Sequence, residues 1–576
     1  MSKKILLLLE SPSKCAKVQS FVGDNYIVAS TKGHIREIPK QILGINCNNN
    51  YEITFKDMKD KKDVIDNIKK LAKNAKYIIG AQDNDREGHS IYYHVTEILN
   101  IKPENQYRAL FSEITKDVIV KAVNNLTLLD HNCVKSQFCR LVIDKIIGYK
   151  LSPLLWSEFN SFTLAAGRVM SPVVRLIFDR ENEIAKFQSQ SYYKLEANFV
   201  LDKKDLSKSL KISKSSQSSQ KTESLTNVIQ TTCDENIKDQ SIIEKLYKDC
   251  SENKAKFTIK SVAKTTSTRN PSPPYITSTL QQDASTKLGM SPDICMRNAQ
   301  VLYEAGLITY MRTDSTAIAE DAMKSIKTCI ENKWGENYYK RTIYKSKDSS
   351  AQEAHEACRV VDFSKESVLG LDSKITAHHN RLYQLIWRRT VASQMAPANI
   401  EIRTVKIITG EKKKDQLVFT GKHEKVIFEG YLAALNLHKK KVKVNAMGDL
   451  VVNEDAMEDE MENEMDEDEE DEPDEADEDD NEKATNSQHN KYLETIYDKL
   501  KEGELVFSQS MNCTQKYSKP KQTRYTEANL IKKLSELHIG RPSTYATIIK
   551  KIQEKQYVER KTLPPKKAKI NILTYS

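Results

Sequence analysis

Residues 75–99 read AKYIIGAQDNDREGHSIYYHVTEIL, and the fold turns on how this stretch is parsed. AKYIIGAQ suits a buried strand, DND its exit, and REGHSIYYHVTEIL a helix. Asp83 and Asp85 then lie at the carboxyl end of the strand, and Glu87 in the first turn of the helix. In isolation D-N-D-R-E is ordinarily a solvated charged turn. Between an apolar strand and a helix it falls where open α/β sheets place their ligands.

The same grammar opens the chain. Lys4 to Glu10 is an apolar run of buried-strand length, followed by ESPSK, in which Ser11 caps and Pro12 opens a helix. Glu10 and Lys14 fall at or just past the carboxyl end of that strand. Two such units in one sheet bring Glu10 toward Asp83, Asp85 and Glu87. Carboxylates gathered in one crevice repel each other and raise their own pKa values unless a cation sits among them. Mg²⁺, hard and oxygen-seeking, is the natural guest.

The 576 residues leave room for roughly three to five domains. No apolar run approaches the ~18 residues of a transmembrane helix. The start MSKKILLLLE lacks a small-residue cleavage site, so it does not read as a signal peptide. The expectation is an intracellular protein, cytoplasmic, or in the nucleus or a viral factory if the source is eukaryotic or viral. Ten cysteines occur without a single C-x-x-C pair, which indicates neither a zinc ribbon nor a disulfide framework.

The net charge of +9 conceals an asymmetry: Glu454–Glu482 holds 21 acids and no Lys or Arg, leaving +30 on the remainder. A body that basic suits a polyanionic partner. The acidic run lacks the apolar residues to fold and is expected to be a flexible loop. It is an inert insertion, a DNA mimic or a docking site for a basic partner. Leu206 to Asn236, rich in Lys, Ser and Gln, reads as a disordered insertion.

Gly306–Thr316, GLITYMRTDST, follows an apolar helical run (Met296, Ala299, Leu302, Tyr303) and is expected to be a strand with Tyr310, Arg312 and Asp314 on one face. A phenol is a compact oxygen nucleophile and a guanidinium holds a phosphate oxygen, so the pair suits attack on a phosphodiester. The bland alternative is a half-buried tyrosine beside an Arg312–Asp314 ion pair. Upstream, a helix from Thr277, with Gln281 or Gln282 closing a capping box, ends at Gly289, and a second begins at Ser291. AQEAHEACR (351–359) reads as a polar helix with a single histidine, His355. Leu382–Met395 is an amphipathic helix, and strand-rich sequence runs from Ile400 to Val452. Residues 524–558 form a helix, a Gly540 stop and a second helix opened by Pro542. Arg541, Ser543, Thr544 and Tyr545 stand at its start, where a backbone phosphate is favoured.

The opening ILLLLESPSK, GHIREIP at 33–39, AQDNDREGHSI, RALFSEITKDVI at 108–119, GLITYMRTDST and GRPSTYA occur in the order found in type IA DNA topoisomerases, and the chain resembles that family from about residue 4 to 561. The resemblance implies α/β plus mixed α+β architecture: a four-domain torus with an N-terminal Toprim domain. It divides the chain into Toprim (1–157), a DNA-gripping helical domain (158–195 and 496–576), a strand-rich arch (196–263 and 396–453), the tyrosine domain (264–395) and the acidic loop (454–495).

It assigns the nucleophile to Tyr310, with Glu10, Arg312, His355, Lys14 and Arg168 as further catalytic residues. Asp83, Asp85, Glu87 and Glu10 would hold Mg²⁺, and Arg168, Arg359, Arg541, Ser543, Thr544 and Tyr545 would contact DNA. The implied activity is relaxation of negatively supercoiled DNA through a 5′-phosphotyrosine, without ATP, by a monomer. Consistently, the chain has no G-x-x-x-x-G-K-[ST] loop. His89, Asn84 and Met170 depart from the usual Glu, Pro and Gln, and Cys358 and Val360 from Ile and Pro. The chain stops at Ser576, where family members continue, so it is either a fragment or a member with a minimal end. The rival readings are a Toprim nuclease, which needs no tyrosine, and a catalytically impaired single-stranded DNA-binding protein.

Overall fold

The structure, a computed structural model, describes residues 3–39, 43–202, 228–344, 356–410, 416–435, 443–444, 450–451, 494–562 and 572–575. The acidic loop, His355 and most of the expected insertion lie outside the described residues.

The run Ile5–Leu9 is an interior strand of a five-stranded sheet. It pairs in parallel with Tyr26–Ser30 on one side and with Ile78–Gly80 on the other, Leu6 facing Ile27 and Ile78. Tyr107–Arg108 follows in parallel and Thr127–Leu128 closes the edge antiparallel. Leu6, Leu7, Leu8 and Leu9 are all buried, so both faces of the strand are covered. That is why it reads as an unbroken apolar run rather than an alternating one. Leu6 and Leu8 pack with Ile65 and Ile68 of the helix Lys62–Lys73 and with Tyr92 and Val95 of the helix Arg86–Ile98. Each such leucine contributes roughly 1.5–3 kcal/mol by leaving water.

The turn between Ile78–Gly80 and the helix Arg86–Ile98 is built by its own residues. Asp85 is the N-cap, its Oδ1 accepting the Gly88 N–H at 2.8 Å. A Cβ at Gly88 would stand 2.1 Å from the Asp83 carbonyl oxygen, so only glycine lets the first helical turn fold back over the Asp83–Asp85 turn.

The chain divides into two compact units. The first comprises residues 1–179, 272–395 and 525–561. Beyond the sheet it holds the helices Thr277–Leu288, Pro292–Glu304, Glu320–Trp334 and Ala377–Ser393. The first of these ends at Gly289 as expected, but its N-cap is Ile276, whose N–H donates to Thr279 Oγ1 at 3.1 Å. Gln281 is buried and Gln282 bonds to Ser278 O, so neither glutamine caps the helix. Glu527–Glu536 and Tyr545–Glu554 form the expected pair of helices around Gly540 (φ 85°), with Thr544 as the cap residue. Leu530, Ile531, Leu534, Ile549 and Ile552 pack with Met170 and Val173.

The second unit comprises residues 180–271, 396–524 and 562–576. It is organised by an antiparallel sheet in the order Ser191–Val200, Ile229–Cys233, Val418–Phe428, Ala398–Thr409, Phe257–Arg269, Leu505–Tyr517. Leu505–Tyr517 pairs back with Ser191–Val200, closing the ring, and Ile572–Tyr575 adds to its edge. Two sequence expectations are corrected here. Ile229–Cys233 is a strand rather than disordered chain: Ile229, Thr231 and Cys233 alternate inward while Gln230 faces out. Leu505–Tyr517, within the stretch read as helical, is a long strand whose Val506, Met511 and Cys513 enter the core.

Candidate active site

The two strand ends bring the first acids together. Glu10 leaves the strand Ile5–Leu9 beside the loop that carries Asp83 and Asp85. Lys14, 1% exposed in the turn Pro12–Lys14, sets its Nζ 2.5 Å from Asp83 Oδ1 and lies 4.5 Å over the ring of Tyr303. Arg108, fully buried, donates to Gln82 Oε1 at 2.8 Å and to the carbonyl oxygens of Gln82 and Asp83 at 3.1 and 3.3 Å. Burial pushes its guanidinium down to about 10. The Asp83–Asp85 turn is therefore held by two cations, Lys14 on the Asp83 carboxylate and Arg108 on the backbone of residues 82 and 83.

Tyr310 reaches the same crevice. Its hydroxyl donates to Asp85 Oδ2 at 2.6 Å, and its ring lies 5.2 Å from that of Tyr303. Its segment is not the expected strand. Gly306–Thr316 is extended but irregular, with one isolated bridge between Ile308 and Val360. Its backbone groups are taken by separate partners: Thr309 N–H by Arg359 O, Tyr310 N–H by Ser112 O, and Met311 O and Thr313 O by the Thr277 hydroxyl. Residues 359–361 run alongside 307–309 only, so the pairing stops at that one bridge and no ladder forms.

Glu87 faces the crevice from the helix's first turn. His34 Nε2 stands 3.2 Å from its Oε1, and Arg312 Nη1 3.6 Å from its Oε2. Arg312 thus pairs with Glu87 rather than with the Asp314 of the bland alternative.

The electrostatics follow from crowding. Burial, then the charges of Asp83, Asp85 and Glu87, push Glu10 up to about 7 against the pull of Lys14. Burial likewise raises Asp85, although hydrogen bonds from Tyr310 and Gly88 draw it back. Glu87 goes the other way, lowered first by its hydrogen bond with His34 and then by the charges of His34 and Arg312. Burial and the charges of Asp85 and Asp83 hold the Tyr310 phenol well above its ordinary range. For Arg312 burial opposes the charge, but Tyr310, Asp85, Glu87 and Glu10 together raise it.

Among the described residues, no three His, Cys, Asp or Glu side chains converge into a ready cage for a metal ion. Lys14, Tyr310, His34 and Arg312 engage the acids instead. The donor set nevertheless fits a hard cation: four carboxylates, with Glu10 and Asp85 raised by burial and then by the neighbouring carboxylates.

The remaining expected residues are dispersed. Arg168 makes a two-pronged pair with Asp144 of the helix His131–Phe159, at 2.9 and 3.2 Å. Arg359 is buried on Glu113 and Glu356 at 2.9 Å each, a placement unlike that of an open phosphate contact. Arg541 is exposed and Ser543 and Thr544 half-buried, while Tyr545 packs into the helical core. His34, Arg108, Tyr303 and Glu113 were not singled out from sequence. His34, Arg108 and Glu113 lie within GHIREIP and RALFSEITKDVI, and His34 and Arg108 from these motifs touch the Asp83–Glu87 turn.

A parallel sheet whose strand ends present an acidic D-x-D-x-E turn, with a tyrosine lodged against it, defines a Toprim domain joined to a tyrosine-bearing partner. A Toprim domain pattern matches residues 5–114, and the pattern of the DNA topoisomerase family matches 129–480 and 475–574. The chain belongs to the DNA topoisomerase family. It is 36% identical to "DNA topoisomerase 1 type prokaryotic" of Acanthamoeba polyphaga mimivirus, over 99% of this chain and 61% of that protein. It is 32% identical to DNA topoisomerase 1 of Zymomonas mobilis, over 98% of this chain and 41% of that one. The chain thus spans roughly half the length of these relatives. Full-length topoisomerase I from Thermotoga maritima superposes with a TM-score of 0.71 at 28% identity, covering 96% of this chain and 79% of that one. The α/β and α+β fold class and the family read from the motifs are borne out.

Proposed function

We propose that the protein is a type IA DNA topoisomerase, an ATP-independent isomerase. On this reading it relaxes negatively supercoiled DNA by cutting one strand through Tyr310, passing another strand and resealing. The observation that carries the reading is the Tyr310 hydroxyl held 2.6 Å from Asp85 in a crevice shared with Glu10, Lys14 and Arg312. A Toprim nuclease would have no use for that tyrosine.

At neutral pH Tyr310 keeps its proton and shares it with Asp85. When a DNA phosphate enters, Arg312 balances charge on its non-bridging oxygens. The Tyr310 oxygen attacks phosphorus, its proton passes to Asp85, and the bond to the 3′ oxygen breaks. That oxygen takes a proton from Glu10, which burial and its acidic neighbours raise toward neutrality and so equip to carry one. The 5′ phosphate is now an ester of Tyr310, so a phosphoester has been exchanged rather than hydrolysed, and the return attack by the 3′ hydroxyl needs no ATP. Lys14 offsets Asp83 and keeps the crevice acids from expelling the incoming phosphate. Asp83, Asp85, Glu87 and Glu10 would hold Mg²⁺, which when bound supplies positive charge to the phosphate and to the acids themselves. His355 is proposed to act on the scissile phosphate. Arg168, Arg541, Ser543 and Thr544 would grip the strand. The substrate is DNA, and among the described residues no helix is long and apolar enough to cross a membrane.

The test is relaxation of negatively supercoiled plasmid with and without Mg²⁺, beside Tyr310→Phe. Stepwise relaxation that requires Mg²⁺ and vanishes in the variant supports the proposal. Nicking that persists in Tyr310→Phe would move the assignment to a Toprim nuclease. Binding that is insensitive to EDTA, without nicking or relaxation, would indicate a DNA-binding protein without catalysis.

A further inference from the structure

Three chain segments meet at the backbone of Tyr310, and hydrogen bonds close them into a ring. The Tyr310 N–H donates to Ser112 O at 2.8 Å, and the Ser112 hydroxyl donates to Glu356 Oε2 at 3.0 Å. Thr309 donates its N–H to Arg359 O at 2.8 Å. Its hydroxyl accepts the Arg359 N–H at 2.9 Å and donates to Ala357 O at 2.7 Å. The Arg359 guanidinium completes the ring, Nη2 donating to Glu113 Oε2 and to Glu356 Oε2 at 2.9 Å each. Arg359 is 4% exposed and Glu113 9%.

A guanidinium that reads a DNA phosphate must present its donors to solvent. This one is engaged by two carboxylates in the interior. The seam around it is closely fitted: Gly306 (φ +69°) passes so near residues 17 and 114 that a Cβ there would stand 2.5 Å from Lys17 Nζ and 2.6 Å from Ile114 O. Lys17 also donates to Ala305 O, and the Ser13 hydroxyl to Glu304.

We infer that Arg359 is a positioning residue: by bridging Glu113 and Glu356 it clamps residues 309–310 against 112–113 and so keeps the Tyr310 hydroxyl on Asp85. The clamp itself is independent of the reaction, whereas its consequence for strand cleavage rests on the topoisomerase reading.

The test is hydrogen exchange on the intact chain without DNA, read at the peptide covering 306–316. Arg359→Met leaves the buried Glu113 and the partly buried Glu356 without their cation and accelerates exchange there roughly 100-fold, while Leu6–Leu8 is unchanged. Arg359→Lys keeps the charge but not the fork and recovers part of the protection. Glu113→Gln, a milder change, accelerates exchange roughly 10-fold, and combining it with Arg359→Met adds little. In a second arm, a single-stranded oligonucleotide binds all variants with the wild-type Kd and salt dependence, while the rate of covalent adduct formation falls in the same order.

Unaltered exchange at 306–316, or equal acceleration throughout the first unit, overturns the clamp. A weaker Kd with a salt slope reduced by about one also overturns it and makes Arg359 a phosphate contact. If the wild type forms no adduct, the proposed function fails while the exchange result still decides the clamp.

Discussion

Replacing Glu10 by Gln isolates the electrostatic strain in the acidic crevice. Glu10 is pushed from its ordinary 4.5 to about 7 by burial and by Asp83, Asp85 and Glu87. The folded protein therefore holds this proton more tightly than the unfolded chain. Its contribution to stability is fully present below about pH 4.5 and is lost as pH rises through 7. A shift of that size corresponds to about 3 kcal/mol. In EDTA, the stability of the wild type relative to Glu10→Gln should thus fall by about 3 kcal/mol between pH 4 and pH 8. Groups that do not interact with Glu10 cancel in the difference. The assay is urea denaturation followed by tryptophan fluorescence, because the three tryptophans, Trp156, Trp334 and Trp387, all lie in the first unit. Mg²⁺ should shrink the effect by neutralising the acids. A difference that is independent of pH, or that grows in the opposite direction, refutes the crowding argument.

Three further outcomes are expected. Lys14→Met strands Asp83 in the interior and should destabilise the first unit by about 3–5 kcal/mol, read in the same denaturation assay. Asp85→Asn retains an acceptor for the Tyr310 hydroxyl but takes up its proton poorly; adduct formation on an oligonucleotide should slow by about 100-fold with little change in Kd. His94 is packed against Phe55 and Phe138, and burial lowers it to about 3. Its contribution to stability is present above about pH 6.5 and is lost as pH falls toward 3, so His94→Leu should flatten the acid side of the stability profile measured by denaturation.

What was legible in the sequence was local. Ile5–Leu9 and Ile78–Gly80 announced themselves because an apolar run followed by a capped helix has few other folded forms, and that parse brought Glu10, Asp83, Asp85 and Glu87 together. The Gly306–Thr316 segment misled because alternation encodes which residues share a face but not whether a partner strand exists; its partners Ser112, Thr277 and Arg359 come from distant parts of the chain. The strand Ile229–Cys233 was hidden by the polar run before it, although Ile229, Thr231 and Cys233 carried the alternation. The burial of Arg108 and Arg359 was illegible for a different reason. A charged side chain enters the interior only when partners satisfy it, and here the sequence-distant Gln82 and Glu113 do so.

The central claim is that Tyr310 becomes esterified to a 5′ phosphate. The most direct measurement uses one oligonucleotide sequence labelled at either its 3′ or its 5′ end, mixed with protein, denatured and resolved by gel. The account predicts that the 3′ label migrates with the protein, that the 5′ label stays free, and that Tyr310→Phe retains neither. A protein-bound 5′ label, or an adduct that survives Tyr310→Phe, would contradict it.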